Sequence, residues 1–95
     1  MYKVMDVIDY RSSWTFRYPD FARLGEGVMV LLDPNQITEP PPIKRKTVNI
    51  QKPSGDTFQF TAFDTEAHHS IVGIFFKGIF SDEIPIGSQL EWQDN

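Results

Sequence analysis

Apolar and polar positions alternate most regularly between residues 44 and 64. Phe58, Phe60 and Ala62 interleave with Thr57, Gln59 and Thr61, and Val48 and Ile50 interleave with Thr47, Asn49 and Gln51. Period two places one set on each face of a strand. Lys44–Gln51 and Thr57–Asp64 therefore read as the arms of a hairpin, joined through Pro53-Ser54-Gly55-Asp56. Its aromatic and β-branched face is expected to be buried and its Thr/Gln face wet. Val28–Leu32 and Ile71–Phe76 are instead continuous apolar runs, too short for independent helices and bounded by turn residues. They read as strands covered on both faces, with Gly73 marking a bulge or a close approach by another segment. Tyr2–Ile8 and Ser88–Trp92 complete about six strands, and the alternating Trp14, Phe16 and Tyr18 allow a further strand or an ordered loop. Between Gly78 and Gly87 one helical turn is expected, capped by Ser81, favoured by Asp82 and Glu83 and stopped by Pro85.

Short strands separated by Gly, Pro, Asn and Asp clusters predict an all-β fold, a small closed antiparallel β-barrel of about six to seven strands. The 95 residues suffice for a single domain, residues 1–95, with one core. There is no cysteine, which excludes disulfides, thiolate metal sites and cysteine nucleophiles, and mildly favours a reducing compartment. Asp6 and Asp9 break the N-terminal apolar pattern, against a signal peptide, and no apolar run approaches the roughly 20 residues of a membrane span. A cytoplasmic location is the expectation, with no membrane contact.

Charge changes the functional picture. The net charge is −4, but residues 1–52 hold eight Lys/Arg against six acids, and residues 53–95 hold Lys77 alone against seven. That balance argues against DNA binding by counterion release and leaves room for a local basic patch. Lys44, Arg45 and Lys46, with Lys52 on the same hairpin arm, are the one basic run. In an extended strand Lys44 and Lys46 share a face, a possible phosphate-contact strip for RNA as well as a solubilising strand end. Trp14, Phe16, Arg17, Tyr18, Phe21 and Arg23 concentrate the residue types that anchor protein interfaces, and they equally fit a plug over one end of the barrel. His68-His69 beside Asp64 and Glu66 is the nearest approach to a metal-ligand set, but adjacent strand residues face opposite ways, so a polar turn is the plainer reading. No G-x-S-x-G elbow and no P-loop occur, and no catalytic residues, cofactor or metal are assigned.

The stretch Ile71-Val72-Gly73-Ile74-Phe75-Phe76-Lys77-Gly78-Ile79-Phe80-Ser81-Asp82-Glu83-Ile84-Pro85-Ile86-Gly87-Ser88-Gln89-Leu90 resembles the end of the second domain of elongation factor Tu. Gly25-Glu26-Gly27-Val28-Met29-Val30 looks like the Gly-Arg-Gly strand of that domain, and Met5-Asp6-Val7-Ile8 is similar to its opening strand. The resemblance implies a closed barrel that docks on something. Glu26 departs from the family's usual Arg, Leu31-Leu32-Asp33 from its Gly-containing strand end, and Pro40-Pro41-Pro42 from its glycine turn. The expectation is a non-catalytic interaction module that binds an unidentified protein partner, with RNA or ribosome association through Lys44, Arg45, Lys46 and Lys52 as the alternative. A small metal protein or enzyme centred on His68 and His69 is the third reading.

Overall fold

The computed structural model describes residues 1–10 and 26–93. Seven strands appear in the order β1 (Tyr2–Tyr10), β2 (Gly27–Leu32), β3 (Thr47–Gln51), β4 (Thr57–Thr61), β5 (Asp64–His68), β6 (Ile71–Lys77) and β7 (Gln89–Glu91). A 3-10 turn, Ser81–Glu83, precedes β7. All seven strands lie in one sheet, ordered β4-β3-β7-β1-β2-β6-β5, and every adjacent pair is antiparallel.

The expected closure is not shown. No ladder joins the end strands β4 and β5 among the described residues, so the sheet is open between them. Those two strands are nevertheless consecutive in the chain. Ala62 still bonds back to the β3 side through Lys46 O, whereas Phe63 N–H already donates to Phe75 O of β6 at 2.7 Å. The chain thus changes partner between one residue and the next.

Curvature comes from β1, the longest strand. Its first residues, Tyr2 and Lys3, pair with β7, and Val4 and Asp6 to Tyr10 pair with β2, with an irregularity between Val4 and Asp6. Met5 lies at that bulge and is exposed, as expected where an extra residue bends a strand and increases its twist. Bending brings the inner faces of both halves onto one core. Val4, Val30, Leu32, Val48, Ile50, Ile74, Phe76 and Leu90 are all fully buried there, with Ile43 and Ile84 sealing it from the loops.

The continuous apolar runs behave as expected. β2 and β6 alternate between that core and a second cluster on the opposite face, where Met29 and Phe75 are buried against Ile8, Leu31 and Phe63. Gly73 marks a close approach and not a bulge. It pairs regularly with Leu31, and a Cβ there would meet Met29 Sδ at 2.7 Å.

Three local expectations are corrected. Strand β3 starts at Thr47, because Lys44 and Arg45 form a turn closed by Lys46 N–H to Ile43 O, with Arg45 at φ 60°. The second arm of the hairpin ends at Thr61, and Asp64–His68, read as a polar turn, is a strand. The 3-10 turn follows Phe80 and has no side-chain cap; Ser81 instead donates from both N–H and Oγ to the Asp9 carboxylate, at 2.6 Å each. That bidentate contact ties the corner to β1, 72 residues away in the chain. Gly87, at φ 90°, makes the final reversal as its composition required. Buried Ser88 is satisfied there by donating to Pro85 O.

Candidate functional site

Strands β4, β3 and β7 turn their apolar side chains to the core, so the other half of each strand must face outward. The register aligns those outward residues in rows. Thr47 lies opposite Thr61, Asn49 opposite Gln59 and Gln51 opposite Thr57, while across the other edge of β3 Asn49 lies opposite Glu91 and Gln51 opposite Gln89. Of these eight side chains only Glu91 carries a charge. All but the half-buried Gln51 are exposed. Gln59 Nε2 donates to Asn49 Oδ1 at 2.6 Å and fixes the centre of the face. Two shallow depressions flank this pair. One, of about 440 Å³, reaches Met1, Gln51, Thr57 and Glu91; the other, of about 380 Å³, reaches Lys46, Thr47 and Gln93.

The four basic residues of the hairpin do not form one strip. Lys44 Nζ lies 3.8 Å from Asp64 Oδ2, in an ion pair. The Arg45 guanidinium sits over the Phe63 ring at 5.1 Å. Lys46 borders the smaller depression on the polar face. Lys52, at the far end of β3, covers the Phe58 ring at 4.9 Å. Six residues of extended chain separate Lys46 from Lys52, roughly 20 Å.

The fold brings a cation to Phe63 that the sequence reading missed. Lys77, the one Lys or Arg of residues 53–95, lies 4.9 Å from the same ring as Arg45. Phe63 stands in the link between β4 and β5 and meets Phe75 edge-on at 6.0 Å. No linear signal joins residues 45, 63 and 77; only the strand order does.

His68 ends β5, and His69 occupies the two-residue turn to β6. Among the described residues no group of three or more His, Cys, Asp or Glu is placed to hold a metal ion. Trp14, Phe16, Arg17, Tyr18, Phe21 and Arg23 lie outside the described residues. No helix is long and apolar enough to cross a membrane among the described residues. Comparison of the chain with family models, with curated proteins and with solved structures gives no match. The described residues offer a neutral hydrogen-bonding face on β4, β3 and β7 and a pair of cations over Phe63.

Proposed function

We propose that the chain is a non-catalytic interaction module, a barrel-type domain like the second domain of elongation factor Tu, which binds a protein partner in the cytoplasm. The observation that carries this reading is the outward face of β4, β3 and β7. Its side chains contribute nothing to the core, yet seven of eight are uncharged. A face kept only for solubility carries mixed charges. Depletion of charge is instead what distinguishes the centre of a protein interface from the rest of a surface. Uncharged amides and hydroxyls also desolvate at lower cost than ions and offer both donors and acceptors. The barrel reading draws support from the single core shared by both halves of the sheet and from end strands linked through Ala62 and Phe63.

RNA binding is the second reading, favoured by Lys46 at the edge of the same face. The scattering of Lys44, Arg45 and Lys52 weighs against it, since phosphate contacts along a strand need cations in register.

The test is capture of partners from lysate of the source cells by tagged wild type and by an Asn49→Arg/Gln59→Arg double variant, each with and without RNase. The expected result is a protein retained after RNase by the wild type and lost by the variant, with unchanged circular dichroism and Tm. A partner held equally by both proteins removes this face as the interface. Loss of all partners on RNase treatment replaces the protein reading by the RNA one.

A further inference from the structure

We propose that Arg45 and Lys77, gathered on Phe63, form a binding site for a phosphate group. This proposal is independent of the polar face and of the protein-partner reading. Two like charges repel, and in a chain of net charge −4 they have many carboxylates to seek. Yet Arg45 and Lys77 converge on one ring, 5.1 and 4.9 Å from its centroid, and neither takes part in the Lys44–Asp64 ion pair. The adjacent carboxylate, Asp64, turns Oδ2 toward Lys44 and accepts Thr65 N–H on Oδ1 at 2.8 Å.

Backbone strain marks this turn, as it marks the His69-Ser70 turn. Arg45 is at φ 60°, a conformation that costs a residue with a Cβ roughly 1–2 kcal/mol. Glycine would fill this turn without that cost, but it would remove the guanidinium. Such strain concentrates at binding sites. The ring holds each cation loosely, since an exposed cation–π contact contributes only about 0.5–1 kcal/mol. An arriving oxyanion therefore displaces little. Both side chains are exposed and stand on separate elements, the turn before β3 and the end of β6. The guanidinium offers a planar fork of donors and the ammonium three rotatable ones. Two uncompensated positive charges match a phosphate dianion, whereas a single carboxylate leaves one of them unneutralised.

The test is a two-dimensional proton–nitrogen NMR titration of the full chain with inorganic phosphate, against sodium chloride at matched ionic strength. Saturable shifts are expected at the amides of Arg45, Phe63 and Lys77. Affinity should fall about tenfold in Lys77→Ala and in Arg45→Gly, the usual consequence of losing one charge-assisted contact. The glycine variant suits the left-handed turn, and the spectrum itself reports whether either variant is folded. Lys52→Ala removes a cation from Phe58 at the other end of β3 and should leave the affinity unchanged. An absence of saturable shifts overturns the proposal, as does an equal loss in Lys52→Ala, which would mean general charge attraction. Sodium glutamate binding as tightly as phosphate would also overturn it. A parallel titration with a short oligouridylate identifies the source of the group. Tighter binding at the same resonances assigns it to a nucleic-acid backbone, and binding of inorganic phosphate alone assigns it to a small phosphate compound.

Discussion

The two halves of this sheet share a core and differ in everything outside it. In the β2–β6 half both faces are covered. Phe76 and Ile74 fill the main core, while Phe75 and Met29 are buried on the reverse side. In the β4–β3–β7 half only the inner face is covered, and the reverse side is the row of threonines and amides. Substitutions along β2 and from Val72 to Phe76 act on stability, because those side chains are buried or half-buried. In the second half, stability and surface chemistry are separable residue by residue.

The sharpest way to break that comparison is a pair of truncations, one in each half. Phe76→Ala removes a side chain that is 1% exposed and touches Phe60 across the core at a centroid distance of 6.3 Å. It should cost about 3–5 kcal/mol, which lowers Tm by at least about 12 °C in a domain of this size. Gln59→Ala removes an exposed amide hydrogen-bonded to another exposed amide and should stay within about 0.5 kcal/mol. Chemical denaturation of both variants measures the difference. Comparable losses would mean that the polar face is part of the folding unit and not a surface free to bind.

Glycines sharpen the same contrast within the covered half. A Cβ on Gly27 would lie against the carbonyl oxygen of Phe76 and 2.8 Å from the Phe75 ring, and a backbone carbonyl held in a ladder cannot retreat. Gly27→Ala should therefore cost about 3 kcal/mol, at the upper end for overpacking. At Gly73 the obstacle is the flexible thioether of Met29, so Gly73→Ala should cost about 1–2 kcal/mol. Equal losses, read by thermal unfolding, would show that the Met29 side chain is as fixed as the backbone.

Legibility in the sequence followed burial. Where strands are covered, their pattern announces them: continuous in Val28–Leu32 and Ile71–Phe76, alternating in Thr47–Gln51 and Thr57–Thr61. Strand β5 was missed because it pairs only with β6, and its Asp64, Thr65 and Glu66 are half-buried without apolar alternation. Lys44–Lys46 read as strand because three long cations give no turn signal; a non-glycine residue at positive φ is invisible to composition. The polar face was legible as the wet side of a hairpin, but its extension onto β7 was not. That required knowing that β7 returns to β3. The Arg45–Phe63–Lys77 cluster was less accessible still, since it depends on the change of strand partner at Ala62 and Phe63.

Small effects of opposite sign are expected at the two hairpin turns, one in each half. The β3–β4 turn is built conventionally. Pro53 and Ser54 precede Gly55 at φ 98°, and Lys52 N–H closes on Asp56 O at 2.8 Å. The β5–β6 turn has two residues, His69 at φ 51° and Ser70 at φ 65°, with no glycine in a geometry that favours Asn-Gly. Ser70→Gly should stabilise by about 0.5–1 kcal/mol, as relief of the left-handed conformation outweighs the greater freedom of the unfolded chain. Gly55→Ala should do the reverse, costing about 1 kcal/mol, and its whole effect is backbone strain because a Cβ there meets nothing within 4 Å. Thermal unfolding should thus move in opposite directions, by about 4–8 °C per kcal/mol. A loss of stability in Ser70→Gly would show that the serine side chain, and not glycine's freedom, holds the tip of the covered half in place.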